Sequence, residues 1–158
     1  MKIGIGQDSH PFSVAPKKFV FGGITFSNYL GLQGNSDGDV LIHSLCNALS
    51  SAIGGESLST WSDDMCLKRG ITDSQEYLKY IFNIVSKNLN IDNISISVEA
   101  QIPRLTPEEK SSIKKNLASL LKINIDQIGI TYTSGENLTA FGKKQGIQVF
   151  STVLLSEK

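Results

Sequence analysis

Between residues 94 and 100 the chain alternates without a break, with Ile94, Ile96, Val98 and Ala100 separated by Ser95, Ser97 and Glu99. Successive side chains of a strand point to opposite faces, so this run predicts a strand with one buried face, ending at Gln101-Ile102-Pro103. Helical periodicities stand on both sides of it. Before it, Asp73 precedes Leu78, Ile81, Phe82 and Val85 in capping-box spacing with Glu76. After it, Thr106-Pro107-Glu108-Glu109 supplies an N-cap, a proline at the first helical position and an acidic first turn. The stripe Ile113, Leu117, Leu120 and Leu121 follows.

The rest of the chain extends the pattern. Ile3 and Ile5 alternate with small residues up to Asp8, and Phe19-Val20-Phe21 runs into Gly22-Gly23, so the first quarter reads as strands joined by tight turns. A loop rich in turn formers, 31–39, leads into a helix marked by Leu41, Leu45, Ala48, Leu49 and Ala52, with Ser36, Asp37 or Asp39 as its N-cap. The stretch 54–70 reads as irregular, and two last strands are expected near 128–133 and 148–155. The order strand, strand, helix, helix, strand, helix, strand, strand implies an α+β (α/β sandwich-like) fold, a mixed β-sheet with helices packed on it. At 158 residues, with no internal repeat or linker, one domain spanning 1–158 is expected.

The 15 basic residues balance the 15 acidic ones, so no global field draws the protein to polyanions, and neither nucleic acid nor membrane is an expected partner. The chain opens on Met1-Lys2-Ile3-Gly4-Ile5 without a secretory leader pattern and has no apolar stretch of transmembrane length, which makes the cytoplasm the expected compartment. Cys46 and Cys66 fit no paired metal spacing.

Both histidines lie near acids, in Asp8-Ser9-His10 and in Asp37-Gly38-Asp39-Val40-Leu41-Ile42-His43. Residues two apart on a strand project to one side, so Asp8 and His10 can converge on an ion that His43 completes. Two nitrogens and one carboxylate oxygen suit Zn²⁺ and leave a fourth position open. The alternative is a surface His10 before Pro11 and a hydrogen-bonded His43 on a helix flank. Asn35 to Asp39 offers hydroxyl, carboxylate and helix N-terminal amides to a diphosphate, or else is a plain N-cap loop. Thr133-Ser134-Gly135-Glu136 presents two hydroxyls and a carboxylate able to hold Mg²⁺, or else a β-turn. Gly142 to Gly146, with Lys143, reads as an anion loop or a solvated hairpin turn.

Taken together, these segments resemble the 2-C-methyl-D-erythritol 2,4-cyclodiphosphate synthase family. The resemblance runs through 3–10, Gly22-Gly23-Ile24, Ser36-Asp37-Gly38-Asp39 with His43, Asp73-Ser74, Gln101 to Arg104, and Thr133 to Glu136 followed by Gly146-Ile147. It implies a homotrimer with sites at subunit interfaces, each sheet covered by three helices on one side, and a CMP-releasing phosphorus-oxygen lyase of the non-mevalonate route acting on a diphosphocytidyl substrate. It implies catalytic roles for Asp8, His10, His43, Glu136 and Thr133. Zn²⁺ would sit on Asp8, His10 and His43, and Mg²⁺ or Mn²⁺ on Glu136. Substrate contacts are implied for Asn35, Ser36, Glu56 and Asp63, for Ala100, Pro103, Arg104, Leu105 and Thr106, and for Ser134 and Lys143. Asp39, grouped with them, is expected to orient a ligand histidine.

The chain departs from the family pattern in five places. Asn35 stands for a histidine, Glu56-Ser57-Leu58 for Asp-Ile-Gly, Trp61-Ser62-Asp63-Asp64-Met65 for Phe-Pro-Asp-Thr-Asp, Thr133-Ser134-Gly135 for three threonines, and Lys143 for an arginine, which is not its equivalent on phosphate. Two other functions fit the same residues: a zinc hydrolase using the open position for water, and a non-catalytic trimer that keeps the metal and binds an isoprenoid or a nucleotide.

Overall fold

The alternation of the first strand buries its small residues. In β1, Lys2–Pro11, it is Gly4 and Gly6 that are buried, while Ile3 and Ile5 are exposed. The computed structural model, which describes residues Met1–Lys158, gives the reason. Helix α1, Val40–Ala52, lies so close on β1 that a Cβ at Gly4 would come within 2.0 Å of the Ala48 carbonyl oxygen, and one at Gly6 within 2.1 Å of that of Ser44. Only glycine permits that approach.

Strands β2, Lys18–Phe21, and β3, Ile24–Leu30, form a separate antiparallel hairpin instead of joining the main sheet. Its turn places Gly22 at φ 61° and Gly23 at φ 77°, the doubly left-handed geometry that suits a two-residue hairpin. Strand β3 escapes periodicity because Phe26 alone is buried in it.

The main sheet has the order β1-β6-β4-β5, with β4 Leu89–Glu99, β5 Ile128–Thr133 and β6 Gly146–Glu157. It is mixed. β6 is antiparallel to both neighbours, whereas β4 and β5 are parallel, pairing Ile94 with Ile128 and Glu99 with Thr133. The crossover between them is α4, Pro107–Leu121, which begins with the expected capping box: Thr106 accepts from the Glu109 amide and Glu109 from the Thr106 amide. Helix α3, Ser74–Val85, packs on α1. The segment expected to be irregular contains a fourth helix, α2, Ser59–Asp63, continuing into a wide turn over Asp64–Lys68.

The helices cover one face, over a core containing Leu45, Leu49, Leu78, Ile94, Ile113 and Leu117. Each such side chain stabilises the fold by roughly 1.5–3 kcal/mol. The other face of the sheet lies bare. Ile3, Ile5 and Phe150 are exposed on it beside the outward residues of β4. No helix is long and apolar enough to cross a membrane.

Candidate metal centre and adjoining pocket

On the helix-facing side of β1 the residues read Gly4, Gly6, Asp8, His10, because residues two apart share a face. The glycines bring α1 down, and the helix delivers His43 over the end of the strand. Asp8 Oδ2 lies 3.0 Å from His10 Nε2 and 3.0 Å from His43 Nδ1, and the two ring nitrogens are 3.2 Å apart. Burial pushes the Asp8 carboxyl up, but hydrogen bonds and charge from His10 and His43 outweigh it and hold the group down at about 2.

The other nitrogen of His43 fixes its tautomer. Ser74 Oγ donates to Asp37 and lies 2.9 Å from His43 Nε2, while Asp37 also accepts from the Ser74 amide at 2.9 Å. With its own hydrogen committed to Asp37, Ser74 Oγ acts as an acceptor for a proton on His43 Nε2, which leaves Nδ1, the nitrogen that hydrogen-bonds Asp8 here, as the one able to give its lone pair to a metal. Three potential ligand atoms lie at mutual distances of 3.0–3.2 Å. Tetrahedral bonds of 2.0–2.1 Å separate ligand atoms by roughly 3.3 Å, so the set fits a Zn²⁺-like ion. The donor set, two imidazoles and a carboxylate, has the same preference.

This corrects the role expected of Asp39. Its carboxylate is fully buried and touches no histidine; it accepts from Gly22 N at 3.0 Å, Gly23 N at 2.6 Å and Ile42 N at 3.0 Å, capping α1 and tying it to the hairpin turn. The residues that orient His43 are Ser74 and Asp37, joined by a weaker contact from Ser36 Oγ at 3.3 Å. Spacing had not revealed Ser74, because it meets His43 across 31 residues.

A cavity opens beside Asp8, His10 and His43, and Asn35, Ser36 and Asp63 line it together with Cys66 and Tyr77. Asp63 and Cys66 come from α2 and the wide turn, a kind of irregularity frequent at functional sites. Glu56 is not among the lining residues. It borders a groove on the other side of Asn47, beside Gln7.

A second cavity lies at the same end of the sheet, over β4, β5 and β6. Ala100, Pro103, Arg104, Leu105, Thr133 and Ser134 line it, as does Tyr132. Thr106 is occupied in the α4 cap, and Lys143 is exposed on the turn before β6, outside both cavities. Glu136 accepts from Ser134 Oγ at 2.7 Å with its backbone in the left-handed region, φ 48°. It stands apart from the cluster of Asp8, His10 and His43 in its own chain.

Known proteins share both sequence and fold with this chain. The YgbB family matches residues 1–156. A 2-C-methyl-D-erythritol 2,4-cyclodiphosphate synthase of Chlamydia muridarum is 40% identical over 158 residues, covering 99% of this chain and 88% of the relative. The bifunctional IspDF of Campylobacter jejuni superposes with a TM-score of 0.90 at 32% identity, over 99% of this chain and 42% of that one. An IspF of Plasmodium falciparum, solved as a CDP complex, superposes at 0.86 with 29% identity, over 99% and 96%.

Proposed function

Because the chain belongs to the YgbB family, we propose that it is a 2-C-methyl-D-erythritol 2,4-cyclodiphosphate synthase of isoprenoid biosynthesis, a phosphorus-oxygen lyase acting in the cytoplasm. Its substrate is 4-diphosphocytidyl-2-C-methyl-D-erythritol 2-phosphate. An oxygen of the 2-phosphate bonds to the β-phosphorus, the bond between that phosphorus and the bridging oxygen breaks, and its electron pair leaves on CMP.

The observation that carries this reading is the triangle of Asp8, His10 and His43 opening onto the cavity of Asn35, Ser36 and Asp63. Zn²⁺ held by that triangle, with Mg²⁺ or Mn²⁺ held by Glu136, would supply Lewis acidity and charge neutralisation to the diphosphate. The chain's own residues hold and align the reacting groups, which is most of what a protein contributes to phosphoryl transfer. Asn35, Ser36 and Asp63 bind the methylerythritol phosphate, and Thr133 and Ser134 bind the diphosphate. The 100–105 segment takes the cytidine, a role supported by the CDP complex of the Plasmodium relative.

The active species is a homotrimer, in which the second cavity of one protomer faces the metal ligands of the next. The bare sheet face with Ile3, Ile5 and Phe150 supports this, since an exposed apolar patch on a sheet marks an interface.

The test is CMP release by purified protein with Zn²⁺ and Mg²⁺, set against His43→Ala. Wild-type turnover that disappears in the variant is expected. Folded, metal-loaded wild type that releases no CMP would overturn the synthase reading.

A further inference from the structure

Tyr132, on β5, borders the second cavity, and its hydroxyl is one of only two buried side-chain polar atoms in the chain without a hydrogen-bond partner. The other, Gln101 Oε1, belongs to a residue that does not line the cavity. A buried hydroxyl without a partner is costly, and such groups persist where something else satisfies them. Burial pushes the phenol up to about 12, so it carries its proton at neutral pH.

Lys110, on α4, lines the same cavity with its ammonium 4.5 Å from the centre of the Tyr132 ring. It takes part in no ion pair of the chain. Together with Arg104 it gives the cavity two cations, and no carboxylate lines it. The floor is apolar, formed by Phe19, Phe21, Val98 and Ile147. At about 210 Å³ the cavity is smaller than the roughly 300–1,000 Å³ of a site for a whole small ligand, so it takes one flat ring with electron-rich edges.

We infer that Tyr132 and Lys110 are a specificity-determining pair for the base of the nucleotide arm, the phenol donating to an acceptor on the edge of a pyrimidine ring and the ammonium donating beside it. The inference rests on the cavity taking that arm, as proposed above.

The test is calorimetric titration of the full-length wild type, Tyr132→Phe and Lys110→Met with CDP and, separately, with inorganic pyrophosphate, both with Mg²⁺. Each variant should bind CDP about 3–10-fold more weakly, the loss of one hydrogen bond. Pyrophosphate affinity should be unchanged, and the melting temperature of the ligand-free protein no lower than wild type. Unchanged CDP affinity in either variant overturns the pair. Equal weakening towards CDP and pyrophosphate overturns the assignment to the base, and a lowered melting temperature marks the role as structural. Wild type that binds no CDP removes the nucleotide reading itself, an outcome distinct from wild type that binds while the variants match it.

Discussion

Ser74 illustrates how much of the candidate metal centre depends on a residue outside the Asp8, His10 and His43 cluster. Its hydroxyl passes the negative charge of Asp37 to His43 Nε2, and so keeps Nδ1 free to bind. Ser74→Ala removes that constraint without disturbing the Asp73 cap of α3. Zn²⁺ affinity should fall about 10–100-fold, measured by competition with a chelator. Asp8 gives a pH signature in the metal-free protein. Its carboxyl is held at about 2, below the usual 3.8. A group lowered in this way stabilises the fold at pH values above its unfolded pKa and ceases to do so as pH falls through the folded one. Denaturant unfolding should therefore show about 2 kcal/mol of stability lost between roughly pH 4 and pH 2. Asp8→Asn should remove that part of the slope.

At the scale of elements, the site is the product of one helix pressed onto one strand. Gly4 and Gly6 set the spacing between α1 and β1, and that spacing brings His43 to Asp8. Gly6→Ala places a methyl group against the Ser44 carbonyl oxygen, which belongs to rigid helix backbone. The helix must shift, at a cost of about 1–3 kcal/mol in stability. Zn²⁺ binding should weaken together with the melting temperature, both read on the same preparation. The N-terminus of α1 is held as tightly, since Asp39 joins it to the Gly22-Gly23 turn and Asp37 joins the preceding loop to α3. Much of this scale was legible beforehand. The Thr106 to Glu109 cap, the alternation of β4 and the stripes of α1, α3 and α4 all report local rules that the fold obeys. β3 and α2 were not legible, because each buries too few residues to leave a period.

For the whole molecule, the unresolved balance is the uncovered sheet face. Helices on one side leave Ile3, Ile5 and Phe150 in water, and three protomers meeting on that face would bury them. Ile5→Asp should convert a trimer to monomers in sedimentation velocity while leaving far-ultraviolet circular dichroism unchanged. It should also abolish CMP release, because each proposed site draws on two protomers. A wild-type protein that sediments as a monomer would refute the assembly.

The sequence by itself determined the single domain, the α+β class and the helices with strong periodicity, and it singled out Asp8, His10 and His43 as a candidate metal set, since all of these follow from composition or from residue spacing. Resemblance added the family. Only the tertiary structure decided that the glycines of β1, not its isoleucines, face inward. It alone decided that Asp39 caps α1 while Ser74 and Asp37 orient His43, and that Tyr132 and Lys110 share a cavity. The physical reason is common to these cases. Periodicity tells which side of an element is buried but not what it is buried against, and a hydrogen bond across 31 residues leaves no trace in the spacing of either partner.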